Sequence, residues 1–440
     1  MDKVKTRFAP SPTGMMHIGG VRTALYAYLV ARKNSGIFSL RIEDTDRNRF
    51  VEGATEDIID SLKWLGLDFE GLVIQSERKE LYQKYARELV DKGMAYEQEG
   101  AIWFKIPKDG KVEFNDLIGS RKVVFDFNSQ KDFVLLKSDG FPTYHLAHVV
   151  DDHIMETNPV IRAEEWLPST PKHILTFQAF GWDVPQYAHL PLILGTDRSK
   201  LSKRHGARSV SEFRKDGFLP EAILNYMAFL GWTPPSEKEF LTLDEMAKEF
   251  DIKDVHVAPG VFDITKLEWM NGEYIRKTQN SKLKTQIYQY LRELSEGTLT
   301  PQDHPTEEEI EKVVPLIKER IKKLSDFIPL TDFLWEKPEY DLEVFKKIKL
   351  DNLDIKDVLD KVVYKLEELK KPWKSEEFEK TFRNLAEELG VPAGSIFQLI
   401  RVAVSGQLVT PPLFESIQIL GEEETLARIK SLVSKYPRLL

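Results

Sequence analysis

Cysteine is absent from the 440 residues. Disulfides, thiolate nucleophiles and thiolate zinc sites are thereby excluded, and any metal would need oxygen ligands. No run of eighteen apolar residues occurs. Met1-Asp2-Lys3-Val4-Lys5 leads straight into a strand-like stretch without the apolar region of a signal peptide, so a cytoplasmic protein with no membrane partner is expected. Internal repeats and low-complexity tracts are missing as well. So is a basic excess: 62 Lys and Arg stand against 71 Asp and Glu, for a net charge of −9. A nucleic-acid partner would therefore depend on local basic surface, not on the total.

What is present is the composition of a globular chain. Hydrophobic residues make up 42%, aromatics 11% and charged residues of both signs 30%. The length exceeds one ordinary core, so two to four domains are expected. Val4 to Ala9 reads as a buried strand, Pro10 to Gly14 as a turn, and Ile18 onward as a helix with Ile18, Val21, Leu25, Tyr28 and Leu29 on one face. Phe38 to Ile42 alternates as a second strand. Strand, helix, strand opens a parallel α/β sheet. Helical spacing follows at Ala54–Leu65 and Leu81–Val90. Tyr96 to Leu136 carries short apolar runs punctuated by Gly and Asp-Gly, as in a β-rich insertion. A helix near Pro171 to Phe180 and the apolar run His189–Leu194 resume the α/β pattern. The rest is chiefly helical, with connectors expected at Thr300–Glu309 and Trp335–Asp341.

Two segments carry chemistry. Arg7-Phe8-Ala9-Pro10-Ser11-Pro12-Thr13-Gly14-Met15-Met16-His17-Ile18-Gly19-Gly20 joins the first strand to the first helix, where ligands of open α/β sheets bind. Its glycines allow close backbone approach, and the helix N-terminus offers free N–H groups to phosphate. Taken alone, it is most simply a strand–turn–helix with a capping histidine. Far downstream, Asp197-Arg198-Ser199-Lys200-Leu201-Ser202-Lys203-Arg204-His205-Gly206 could fold over a triphosphate; alone, it reads as a solvated basic loop.

Together, His-Ile-Gly-Gly and Lys-Leu-Ser-Lys-Arg resemble the paired signatures of class I aminoacyl-tRNA synthetases. The resemblance implies a Rossmann-type α/β catalytic domain, ATP with Mg2+, and an aminoacyl-adenylate intermediate. It makes His17, Lys203 and Lys200 catalytic, and assigns ATP to Thr13, Gly14, His17, Gly19, Gly20, Leu201, Ser202, Lys203 and Arg204. Attack of a carboxylate on phosphorus needs positioning and charge neutralisation more than a protein nucleophile, which suits a chain without cysteine.

The opening segment, followed by Arg41-Ile42-Glu43-Asp44-Thr45-Asp46-Arg47, is similar to the glutamyl branch of that class. A glutamate pocket should offer two cationic or donor groups and one acid. By resemblance Arg7 and Arg162 meet the substrate carboxylates and Glu43 the ammonium, with Ala9, Ser11, Tyr144, His148 and Trp166 completing the pocket. On their own, Arg7 and Glu43 could equally pair across strand ends, and Tyr144 and Trp166 would pass as core. His148 stands where the family usually carries Asn. The insertion lacks the cysteines with which some members bind zinc, so no zinc is expected.

The match continues through Phe218–Arg276. It implies an α/β Rossmann-type catalytic domain with parallel sheet (1–75 and 144–217), an α+β connective insertion for the acceptor end (76–143), a stem-contact domain (218–310) and an all-α anticodon-binding domain (311–440). Arg320 and Arg401 are the anticodon-facing residues by resemblance, since single-stranded bases are read by side chains such as Arg. The expected partners are L-glutamate and tRNA(Glu), with tRNA(Gln) open, and the expected state is a monomer. Three other readings compete. A glutaminyl enzyme diverges over the helical part. A small tRNA-modifying glutamyl transferase would lack it, and a silent tRNA binder would not need His17, Glu43, Arg162 and Lys203.

Overall fold

A computed structural model describes residues 3–127, 131–206, 208–295, 305–350, 353–370 and 373–435, with backbone alone at Lys203. Two compact units result: Met1–Arg214 with Phe218–Met270, and Lys215–Gly217 with Asn271–Leu440.

The first unit opens with β1 (Lys5–Phe8), α1 (Ile18–Lys33), β2 (Ile37–Ile42), α2 (Ala54–Trp64), β3 (Leu72–Ile74) and α3 (Lys79–Asp91). The three strands pair in parallel in the order β1-β2-β3, with Arg7 beside Ser39 and Leu40 beside Leu72. Helix α1 is buried on more than the one face that its spacing suggests. Arg22 and Tyr26 are buried too, and the Tyr26 hydroxyl donates to the Ala228 carbonyl at 2.8 Å. A second layer covers that side, so apolar periodicity alone understates the burial.

The insertion supplies β4 (Ala95–Gln98), β5 (Ala101–Phe104), β6 (Lys111–Asp116), β7 (Arg121–Asp126) and β8 (Phe133–Leu136). Strands β4, β5 and β8 form one antiparallel sheet. Ile102, Phe104, Val112 and Phe133 join one apolar cluster with Tyr82, Val150 and Phe177 from the surrounding helices. After it come α4 (Tyr144–Ile154), β9 (Val160–Ala163), α5 (Thr170–Phe180), β10 (Tyr187–Leu190) and β11 (Ile193–Leu194). The β6–β7 hairpin adds itself to β10, which runs parallel to β9. The Asn158 N–H donates to the Lys5 carbonyl at 2.8 Å, tying β9 beside β1. The unit closes with α6 (Val210–Lys215), α7 (Pro220–Phe229), α8 (Leu243–Glu249), β12 (Gly260–Val261) and part of α9 (Ile264–Lys277).

The second unit is helical: α10 (Asn280–Leu294), α11 (Glu307–Ile317), α12 (Phe327–Thr331), α13 (Ile355–Glu368), α14 (Ser375–Leu389), α15 (Ala393–Ser405), α16 (Leu413–Leu420) and α17 (Glu422–Lys435). Val362, Phe382, Leu399, Ile417 and Ile429 share its core. Residues 300–304 of the expected first connector lie outside the described residues, but Thr306 to Glu309 is a helix start. Thr306 accepts from the Glu309 N–H, and the Glu309 carboxylate accepts from the Thr306 N–H at 2.8 Å. That reciprocal cap explains an acidic run the sequence reading took for a linker. Among the described residues, no helix is long and apolar enough to cross a membrane.

Candidate active site

At the carboxyl end of β1 the chain turns through Ala9 to Met16 and enters α1. His17 is the residue before the helix, and its Nδ1 accepts from the Gly19 N–H at 3.1 Å. A neutral ring accepting there carries its proton on Nε2. Capping and anion contact are thus compatible uses of one side chain. A Cβ on Gly20 would lie 3.4 Å from Phe8, and one on Gly19 3.4 Å from His17. The turn is held by Thr13 N–H to the Ser11 carbonyl (2.8 Å) and Val51 N–H to the Pro12 carbonyl (2.9 Å).

The second signature comes back to the same corner. Ile18 N–H donates to the Arg208 carbonyl at 3.1 Å, and Val210 N–H to the Met16 carbonyl at 2.8 Å. Within the loop, Lys200 pairs with Glu165 at 2.9 Å, and Arg204 meets Asp197 at 3.3 Å and the Ser199 hydroxyl at 3.0 Å. Both cations thus rest on protein acceptors. Hydrogen bonds from Ser199, together with His205, hold the Asp197 carboxyl well below its ordinary range. His205 itself packs on Gly195, where a Cβ would come within 2.5 Å of the ring. Leu201 and Ser202 lie half-buried in the loop. Lys203 opens a short turn of 3-10 helix, and its side chain lies outside the described residues.

Ser11, Thr13, Glu43, Tyr144 and Trp166 line a cleft of 410 Å³ beside this corner. Tyr144 and Trp166 pack with ring centres 4.4 Å apart and planes tilted by 39°. Around and beneath it lies a charged cluster. Arg7 grips Asp152 with Nε at 2.8 Å and a terminal nitrogen at 3.2 Å. Arg41 donates to Asp152 at 2.7 Å and to Glu43 at 2.9 Å. Burial alone would raise the Asp152 carboxyl, but the guanidiniums of Arg41 and Arg7 outweigh it and hold it at about 2. Burial wins at Glu43, whose carboxyl is raised despite Arg41 and Arg7.

Arg162, on β9, is different. Among the described residues no carboxylate pairs with it. Its NH1 donates to the Tyr144 hydroxyl and to His173 Nδ1, both at 3.1 Å, its NH2 to the Thr170 hydroxyl at 2.8 Å, and its Nε to His189 Nε2 at 3.2 Å. His148 approaches it at 3.4 Å, but sits nearer Asp152, at 3.2 Å, and its Nδ1 is buried without a partner. Burial and the neighbouring guanidiniums keep His148 neutral, and burial, then His148 and Arg162, do the same for His173. Sequence reading passed over Arg41, Asp152, His173 and His189. The signal for Asp152 was the acidic pair Asp151-Asp152 on an otherwise apolar helix, since a buried acid requires cations. In the second unit, Arg401 donates to the Thr410 hydroxyl at 3.1 Å and Arg320 to the Thr410 carbonyl at 3.4 Å. No group of three or more metal-holding side chains occurs among the described residues.

Comparison with known proteins gives the same direction. Residues 3–101 and 97–269 match the family "tRNA synthetases class I (E and Q), catalytic domain", and residues 283–433 match "Anticodon binding domain". A glutamate–tRNA ligase of Dehalococcoides mccartyi is 41% identical, covering 99% of this chain and 98% of its own length. One from Treponema denticola is 39% identical, covering 98% of this chain and 99% of its own. The crystal structure of a glutamate tRNA ligase from Elizabethkingia meningosepticum, in complex with its amino acid, superposes with a TM-score of 0.83 at 32% identity, covering 98% of this chain and 99% of that one. With a catalytic family matched over more than half its length and relatives aligned end to end, the chain belongs to the glutamate–tRNA ligases of the class I synthetases.

Proposed function

We propose that this chain ligates L-glutamate to tRNA(Glu) through a glutamyl-adenylate formed from ATP, acting as a cytoplasmic monomer. The observation that carries the reading is Arg162: a buried guanidinium met, among the described residues, only by neutral groups, in a cluster that also holds the nearly buried carboxylate Glu43. Such an arrangement suits a diacid bearing one ammonium. Arg7 and Arg162 would take the carboxylates and Glu43 the ammonium, with Ala9, Ser11, Tyr144, His148 and Trp166 shaping the walls. Thr13, Gly14, Gly19 and Gly20 would cradle ATP at the start of α1, with Leu201, Ser202, Lys203 and Arg204 on the other side.

In the first step a glutamate carboxylate oxygen attacks the α-phosphorus and pyrophosphate leaves. In the second a ribose hydroxyl of the tRNA end attacks the activated carbonyl and AMP leaves. His17 Nε2–H, Lys200 and Lys203 stabilise charge gathering on the leaving phosphates. Mg2+ accompanying ATP would neutralise part of the triphosphate charge. Segments 76–143, 218–310 and 311–440 would contact acceptor end, stem and anticodon, with Arg320 and Arg401 reading the last. Charging purified tRNA(Glu) and tRNA(Gln) with glutamate and with glutamine tests the proposal. Glutamate on tRNA(Glu) alone supports it, glutamate on both defines a nondiscriminating ligase, and glutamine on either, or no product, overturns it.

A further inference from the structure

Arg162 poses a physical problem. A guanidinium reserved for a substrate carboxylate needs firm orientation, yet a protein carboxylate placed directly on it would occupy the fork meant for the ligand. Its Nε answers this through an intermediary. His189 Nε2 accepts from Arg162 Nε, and His189 Nδ1 faces Asp116 Oδ2 at 2.5 Å. A carboxylate only accepts, so Nδ1 carries the proton and Nε2 keeps its lone pair for Arg162 and for the Thr170 hydroxyl, 3.1 Å away and itself an acceptor from Arg162. Asp116 and His189 are both buried. The other oxygen of Asp116 accepts from the Ile118 N–H at 3.0 Å and the His189 N–H at 3.2 Å. Asp116 is the last residue of β6, so the anchor comes from the insertion, not from the strand that bears Arg162.

We infer that Asp116 and His189 form a positioning relay, in which the carboxylate fixes the imidazole tautomer and the imidazole orients the Arg162 guanidinium for its substrate. The inference rests on the proposed role of Arg162 in glutamate binding, and names two residues that act on that role without touching substrate. The relay lets a protein anion steady Arg162 from behind while only neutral partners meet it directly.

The backbone contacts make the relay unusually open to test. In Asp116→Asn the two N–H donors hold the amide oxygen, turning the amide NH2 toward His189 Nδ1. Nδ1 must then accept, the proton moves to Nε2, and Nε2–H confronts Arg162 Nε–H, donor against donor. The glutamate KM in charging assays should rise about tenfold or more, the usual scale for lost outer-shell support, with the ATP KM unchanged. In His189→Gln the amide can turn its NH2 to the Asp116 carboxylate and its oxygen to Arg162, so this variant should keep the glutamate KM within about threefold of the parent. A merely structural role would raise both KM values in Asp116→Asn or leave His189→Gln as impaired as Asp116→Asn; either result, or an unchanged glutamate KM in Asp116→Asn, overturns the relay. Arg162→Lys separates the levels: an unchanged glutamate KM overturns the binding role itself, whereas a raised one with a flat Asp116→Asn overturns only the relay. If the variants do not fold, nitrogen NMR of the histidine-labelled parent reads the tautomer directly. A proton on His189 Nδ1 supports the relay, and one on Nε2 overturns it.

Discussion

His17 does two jobs that substitution can separate. Its Nδ1 caps α1 through the Gly19 N–H, and a neutral ring accepting there carries its proton on Nε2. Asn can keep the cap but not the donor. His17→Asn should therefore hold thermal stability while adenylate formation, followed in a single turnover, slows about a hundredfold, as when one preorganised donor is removed. His17→Ala should show the same slowing plus about 1 kcal/mol of lost stability. A rate unchanged in both would take His17 out of the reaction. At this scale the sequence singles out candidates where a residue stands in a motif, as Arg7, His17 and Glu43 do. It was silent on Arg41 with Asp152, because a pair on β2 and α4 exists only once the fold has joined them.

Among the elements, α4 and α5 carry an acid-sensitive feature. His145, His148 and His173 pack between them; His148 and His173 lie 4.3 Å apart, and His145 Nδ1 is 3.2 Å from His173 Nε2. Burial, aided by nearby cations, lowers His145 to about 4 and holds the other two well below their ordinary range. In the unfolded chain all three titrate near the ordinary value of about 6.5. Below that pH the unfolded state binds more protons than the folded one, so stability is full above 6.5 and falls as acid approaches 4, by about 1.4 kcal/mol per pH unit for each proton. Urea unfolding at pH 7 and pH 5 checks this, and equal midpoints would contradict it. Strand–helix–strand order, the β-rich insertion and the helical remainder were legible from spacing, and β1, α1 and β2 lie where alternation and periodicity put them. What spacing could not give was the second layer over α1, or the way the β6–β7 hairpin attaches to β10.

For the whole molecule, net charge says little about a tRNA partner, and local arrangement says more. Arg320 and Arg401 both lean on Thr410, and burial and the nearby Arg320 lower the Arg401 guanidinium's affinity for its proton. One neutral residue thus anchors two adjacent guanidiniums. Arg320→Gln is expected to raise the charging of tRNA(Gln) relative to tRNA(Glu), measured as the ratio of kcat/KM values. An identical ratio dismisses Arg320 as a discriminator. The division into two units was partly legible, since the helical C-terminal composition differs from the α/β start. The boundary at Met270 falls inside helix α9, where no linker composition marks it.

At Gly195 the absence of a side chain makes room for the basic loop. With the His205 ring resting where a methyl group would go, Gly195→Ala must push His205 aside and disturb the pairs of Lys200 with Glu165 and of Arg204 with Asp197. A nucleotide would then meet a loose arm instead of one that trades partners on arrival. The ATP KM should rise at least threefold while the glutamate KM stays put, so that one methyl group tells the two halves of the active site apart.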